Sequence, residues 1–213
     1  PHPGMVPIAH ALQPLSYRRV CLGHMHWTDP DMDTGYEDWI PFNVWEKDMP
    51  PEVMRRWDWE HHGITRRTTG GPSPRTREQT PGYHLAQQAI RQIEDAVERD
   101  EPFLCWTAFL EPHPPFYPPR SYYEQINQAQ IQLPQQAPAD SPPPHEYIRR
   151  MQQEWTHLTP VEICQVIAGF YGLVTLVDEC CGMILDTLDR LGIRDDTIVI
   201  WTSDHGDQMW EHQ

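Results

Sequence analysis

The chain has 213 residues, enough for one large domain or two small ones. Lys and Arg number 16 against 31 Asp and Glu, a net charge of −15 with neutral His; such a surface repels phosphate backbones and excludes general nucleic-acid binding. With 38% hydrophobic residues and no run close to the ~18–20 apolar residues that span a bilayer, a membrane span is not expected.

Residues 1–8 lack the basic start and apolar stretch of an export signal. Residues 18–22 read as a short strand. Residues 28–80 are polar, rich in Trp, Asp and Arg, and nearly without periodicity, so they read as a long loop insertion. Residues 83–99 form the first helix: Ala86, Ala89, Ile90, Ile93 and Val97 make a one-sided stripe, with Thr80 and Pro81 before it and Pro102 beyond it. Residues 103–110 are aromatic and apolar and read as a buried strand. Residues 111–158 carry many of the 23 prolines and read as a second loop insertion.

A longer helix follows. Ile163, Ile167, Phe170, Val174, Val177, Cys181, Ile184, Leu188 and Leu191 alternate steps of four and three. Thr159 is its N-cap with Glu162 as capping-box partner, Pro160 suits the first turn, and Gly192 suits the C-terminal cap. The period fits a coiled coil or a core helix; Leu173, Leu176, Met183 and Leu185 widen the apolar surface toward the second. Residues 197–202, Thr-Ile-Val-Ile-Trp-Thr, read as a central strand buried on both faces. Two helix-then-strand pairs indicate an α/β layered domain with a largely parallel sheet. Nine Trp supply aromatic burial that a disordered acidic chain lacks. Five Cys in no disulfide-like spacing favour a reducing compartment, the cytoplasm.

Three motifs each follow a predicted strand, so they can converge on one sheet edge, where α/β folds collect ligands. In Ser203-Asp204-His205-Gly206-Asp207, a carboxylate beside an imidazole can serve one metal ion; alternatively Asp204 caps a helix and His205 is a surface residue. In Glu111-Pro112-His113-Pro114-Pro115, flanking prolines stiffen the backbone around an imidazole suited to bind an anion or give a proton; alternatively the His is incidental to a proline-rich loop. In Gly23-His24-Met25-His26, two imidazoles two residues apart point the same way in an extended chain, as a metal pair, an anion site or two solvated rings. Trp27, Trp39, Trp45, Trp57 and Trp59 either line a pocket or pack beneath a loop. The twelve His also admit a metal-storage role, against which their scatter along the chain argues.

These segments resemble the sulfatase family of the alkaline phosphatase superfamily, which includes arylsulfatases, choline sulfatases and phosphonate monoester hydrolases. Residues 102–123 resemble its strand and Asp-Pro-His-x-Pro-Phe loop. Residues 171–212 resemble its Tyr-x-x-x-Val-x-x-Val-Asp helix leading to Thr-x-Val-Ile-x-Thr-Ser-Asp-His-Gly-Asp and a later Glu-His. Residues 7–27 resemble the lead into Gly-Lys-x-His, and Gly35-Tyr36-Glu37-Asp38-Trp39 resembles Gly-Phe-Asp-x-Trp.

The resemblance implies an alkaline phosphatase-like three-layer sandwich, present in part over residues 1–213, acting on a small anionic ester. It implies that Asp204 and His205 are metal ligands. His113 would contact the sulfate or phosphate and protonate the leaving group, and His26 would contact the nucleophile or the transferred group. His24 stands where the family has Lys, at the substrate; a mostly neutral His there weakens anion binding or makes it pH-dependent. Trp210 stands where a small residue is usual. One divalent cation is implied, Ca2+ first and Mn2+, Mg2+ or Zn2+ as alternatives, together with a formylglycine nucleophile. No Cys or Ser here sits in Cys/Ser-x-Pro/Ala-x-Arg, and Ser73-Pro74-Arg75 has the wrong spacing. The expectation is therefore an internal fragment of a sulfuric ester hydrolase, inactive alone. A phosphonate monoester or phosphodiester hydrolase, or an inactive binding homologue, is the alternative.

Overall fold

The computed structural model describes residues 6–25, 32–55, 68–135 and 158–209, together with 138, 140–143, 145, 146, 149, 153 and 211. Its elements run α1 (Ile8–Leu12), β1 (Arg18–Gly23), β2 (Asp38–Pro41), α2 (Val44–Asp48), α3 (Pro81–Glu98), β3 (Phe103–Ala108), α4 (Arg120–Tyr123) and α5 (Pro160–Arg190). The chain divides into two compact units. The first holds Pro1–Met54, Thr76–Glu111 and Leu176–Thr197; the second holds Arg55–Arg75, Pro112–Thr175 and Ile198–Gln213.

The first unit is α/β. Its three strands are parallel, in the order β2-β1-β3. Val20 is opposite Asp38 on one side and Cys105 on the other, so β1 is central, and Val20, Cys21 and Leu22 are almost wholly buried. Helix α3 begins two residues before the expected start at Tyr83: Thr80 is its N-cap, accepting the Tyr83 N–H on its hydroxyl at 3.3 Å, and Pro81 fills the first position, where a missing N–H costs nothing. Leu85, Ala86, Ala89, Ile93 and Ala96 form its buried stripe. Leu85 and Ala89 pack on Val20 and Leu22, with Ile40, Cys105, Phe109 and Ile184 around them. Each fully buried Leu or Val contributes about 1.5–3 kcal/mol, so this cluster holds the strands whose ends carry the candidate residues.

Helix α5 closes at both ends as its sequence predicts. The Glu162 N–H donates to the Thr159 hydroxyl at 3.3 Å, and the Thr159 N–H donates to the Glu162 carboxylate at 2.7 Å. At the other end Gly192 has φ +70°, its N–H donates to the Asp189 carbonyl and the Ile193 N–H to the Leu188 carbonyl, each at 3.0 Å. This is the 6→1 and 5→2 pair of a Schellman cap, whose left-handed residue disfavours a side chain. The helix is long and apolar enough, by length and composition, to cross a bilayer, which corrects the expectation that no stretch approaches that limit. The reason is that no charged side chain stands between Glu162 and Asp178. Val166, Ile167, Leu173, Leu176, Val177, Cys180 and Leu188 are nevertheless buried within the protein, a face too broad for a two-stranded seam and suited to a core.

Three further expectations are corrected. Residues 197–202 are not a strand: among the described residues nothing pairs with them, and Ile198, Val199, Ile200 and Trp201 are 89%, 47%, 73% and 67% exposed. β-Branched residues favour an extended chain but do not supply a neighbouring edge to bond. Within residues 28–80, read as irregular, lie strand β2, helix α2 and a 3-10 turn at Arg77–Gln79. β2 has only four residues and ends in proline, which suits a sheet edge and leaves no period to read. β3 is half-buried rather than buried, with Trp106 38% exposed, because it borders β1 alone.

In the second unit, residues 69–73 run beside residues 116–120. The Phe116 N–H donates to the Thr69 carbonyl at 3.1 Å, the Gly71 N–H to the Phe116 carbonyl at 3.0 Å, and the Ser73 N–H to the Pro118 carbonyl at 2.8 Å. The first half of α5 packs on the same segment: the Phe116 and Phe170 rings meet edge-on, centroids 5.8 Å apart. A Cβ on Gly169 would stand 2.2 Å from the Phe116 carbonyl oxygen. Ala in a helix is worth about 1 kcal/mol over Gly, but this contact is with backbone and overpacking costs roughly 1–3 kcal/mol. Gly169→Ala is therefore expected to lower stability, whereas Gly182→Ala, with nothing within 4 Å of its added Cβ, should raise it by about 1 kcal/mol. Thermal unfolding of the two variants checks the sign of each.

Candidate functional site

Parallel strands deliver their carboxyl ends to one edge of the sheet. In the first unit β1 ends at Gly23, in register with Ala108 of β3. His24 follows, and its N–H donates to the Ala108 carbonyl at 3.0 Å. The His24 ring is exposed and stands edge-on to Phe42, just beyond β2, with centroids 6.2 Å apart. Phe42 in turn lies 6.4 Å from Trp45. Trp45 is 1% exposed and packs, whereas Trp39 is 47% exposed; Trp27, Trp57, Trp59 and the predicted His26 lie outside the described residues.

The same edge carries a residue that sequence reasoning passed over. Glu111, three residues beyond β3, is buried and accepts the Gly82 N–H at 3.1 Å, at the amino end of α3. A carboxylate there meets unsatisfied N–H groups and the positive end of the helix dipole. The signal was an acid in the first turn after a strand, two positions before His113.

His113 is exposed and belongs to the second unit. Its Nδ1 lies 2.7 Å from the Pro114 carbonyl oxygen. A carbonyl only accepts, so Nδ1 carries the proton and Nε2 is left facing outward, a lone pair when neutral and a donor when protonated.

Asp204 and His205 belong to the second unit as well. The Asp204 Oδ2 and His205 Nε2 atoms are 3.6 Å apart, with the side chains 85% and 77% exposed. The His205 N–H donates to Asp204 Oδ1 at 2.9 Å. His205 Nδ1 lies 2.9 Å from the Gly206 carbonyl, which again fixes the proton on Nδ1 and leaves Nε2 for a ligand. That carbonyl, then the Asp204 and Asp207 carboxylates, raise the imidazole above its ordinary pKa. This donor set, one carboxylate and one outward imidazole nitrogen, fits two ligands of a divalent cation. It is not a complete shell: among the described residues no group of three or more His, Cys, Asp and Glu is close enough to hold a metal, and no hydrogen bond or ion pair joins His113 to Asp204 or His205.

None of the five cysteines is disulfide-bonded. Burial pushes the thiols of Cys21 and Cys180 up to about 12 and those of Cys105 and Cys181 to about 11, so these four are packing residues rather than nucleophiles at neutral pH.

Comparison with known proteins gives these residues their context. The choline-sulfatase of Rhizobium meliloti (strain 1021) is 25% identical over 95% of this chain and 42% of its own length. The multifunctional alkaline phosphatase superfamily protein PehA of Trinickia caryophylli is 28% identical over 86% of this chain and 38% of its own. The phosphonate monoester hydrolase of Agrobacterium radiobacter superposes with a TM-score of 0.71 at 21% identity, over 96% of this chain and 48% of that one, a likeness of fold. The chain thus spans less than half the length of these relatives. The sequence profile described as Sulfatase matches residues 3–213, and the chain belongs to the sulfatase family of the alkaline phosphatase superfamily.

Proposed function

We propose that this chain is part of a divalent-metal-dependent hydrolase of sulfate esters, taking small anionic esters as substrates. The observation that carries the reading is the Asp204–His205 pair, a carboxylate and an Nε2 held 3.6 Å apart and both open to solvent, in a chain matched to the Sulfatase profile over residues 3–213. Sulfate rather than phosphate is favoured by the choline-sulfatase relative, aligned over 95% of this chain. The phosphonate monoester or phosphodiester reading is kept as the alternative because PehA, 28% identical, is described as a multifunctional member of the alkaline phosphatase superfamily rather than as a sulfatase.

Sulfatases generally use a divalent metal and formylglycine. Here Asp204 and the Nε2 of His205 would hold the cation, which, when bound, neutralises charge on the ester oxygens and acts as a Lewis acid. Ca2+ suits the carboxylate, with Mn2+ next because of the imidazole. The chain's own residues do the rest. His113, with its Nδ1 proton fixed on the Pro114 carbonyl, presents Nε2; protonated there, it hydrogen-bonds an anionic ester oxygen and hands that proton to the leaving alkoxide. The chain holds no Cys/Ser-x-Pro/Ala-x-Arg sequence, so the nucleophile comes from the rest of the protein.

The experiment is a pair of assays. The full-length protein with added Ca2+ or Mn2+ should turn over an aryl sulfate with a higher kcat/KM than a phosphate diester or phosphonate ester. The 213-residue chain alone should show negligible turnover with either metal. A preference for the phosphorus esters would replace the first reading by the second, and robust turnover by the chain alone would contradict the placement of the nucleophile.

A further inference from the structure

Arg75 is 7% exposed, and its charge faces protein rather than water. Its Nε donates to the Ser73 hydroxyl at 3.1 Å and its Nη2 to the Tyr117 carbonyl at 3.2 Å; its backbone N–H also donates to the Ser73 hydroxyl, at 3.3 Å. Ser73 is fully buried. It binds the opposite segment through its own backbone, donating to the Pro118 carbonyl at 2.8 Å and accepting the Arg120 N–H at 3.1 Å. The guanidinium therefore ties residues 73–75 to Tyr117, and the Ser73 backbone ties them to Pro118 and Arg120.

What lies just upstream gives this fastening a purpose. Between His113 and the clamp stand only Pro114 and Pro115, because Phe116 is already 2% exposed and bonded through both backbone groups to residues 69–71. Proline fixes φ near −65°, so the tether is short and stiff, and the imidazole goes where the clamp sends it. A buried arginine is costly unless its donors are satisfied. Its flat fork can hold a carbonyl and a hydroxyl in fixed directions, which neither an apolar residue nor a lysine ammonium can do.

We propose that Arg75 is a positioning residue for His113, acting through the Tyr117 carbonyl and the Ser73 hydroxyl to fix the loop that presents the imidazole. The proposal rests on the reading of His113 as the group that meets the ester.

The test uses Arg75→Met, which keeps the apolar stem and removes the donors, and Arg75→Lys, which keeps only a point charge. Ile167→Ala, from the same unit's core, serves as a variant destabilised without touching the fork. In the full-length protein, both Arg75 variants should lose roughly 10–100-fold in kcat with KM within about threefold, while Ile167→Ala keeps the parental kcat below its melting temperature. In the 213-residue chain, the His113 ring signals should broaden or collapse toward those of a free imidazole in both Arg75 variants and not in Ile167→Ala. Parental kcat and parental ring signals in a folded Arg75 variant would overturn the proposal, and so would an equal loss in Ile167→Ala. If Arg75→Met does not fold, Arg75→Lys decides by the same two readouts. If His113→Ala itself keeps full activity, the reading of His113 fails; the ring signals still report whether Arg75 holds it.

Discussion

His113→Ala in the full-length protein is expected to lower kcat by roughly 10²–10⁴-fold, the usual range for loss of a general acid. The argument is geometric. The ring is exposed and its Nδ1 is committed to the Pro114 carbonyl at 2.7 Å, so its outward nitrogen is available for chemistry and its removal empties no core. Stability should stay within about 0.5 kcal/mol, and the metal content should be unchanged. Steady-state kinetics on an ester with a poor leaving group give the largest contrast, because that group needs the proton most. A kcat within threefold of the parent would remove His113 from the mechanism.

The second large effect concerns the cation. Asp204→Ala is expected to weaken binding of the divalent ion by at least about 100-fold, beyond the 10–100-fold typical of residues that merely support a ligand. Asp204 is 85% exposed on its side chain, so the loss would not come from unfolding. Asp207→Asn is the control: Asp207 accepts the Met209 N–H at 2.9 Å, a turn contact that an amide oxygen can also make. Metal analysis after dialysis of the full-length protein distinguishes the two. Parental metal content in Asp204→Ala would mean the ion sits elsewhere.

The elements that were legible in the sequence are those whose cause is local. Thr80 with Pro81, Thr159 with Glu162, and Gly192 each bind backbone groups within a few positions, so they mark the ends of α3 and α5 without reference to the rest of the molecule. Strand β3 announced itself by an aromatic and apolar run, whereas β1, with only Val20, Cys21 and Leu22 apolar after two arginines, gave a fainter signal. What was not legible depends on distant partners. The Thr-Ile-Val-Ile-Trp-Thr run has every residue of a central strand, yet strand pairing is decided by the neighbour and not by the run. β2 is a strand because β1 lies beside it, which nothing in Asp38-Trp39-Ile40-Pro41 discloses. Among the candidate residues, the sequence pointed to His24, His113, Asp204 and His205 by their positions after predicted strands. It missed Arg75, whose partner Tyr117 is 42 positions away, and Glu111, whose partner Gly82 is 29 away.

The bare Ile198–Trp201 stretch sets how the 213-residue chain behaves in bulk. Apolar side chains on a backbone whose N–H and C=O groups pair with no described residue make a template for a neighbouring molecule's chain, the first step toward cross-β stacking. What opposes that step is the net charge of −15, which holds molecules apart over a Debye length of about 10 Å at 0.1 M salt and about 3 Å at 1 M. Colloidal behaviour is thus a contest between four residues of adhesive surface and the whole molecule's repulsion, and ionic strength decides which prevails.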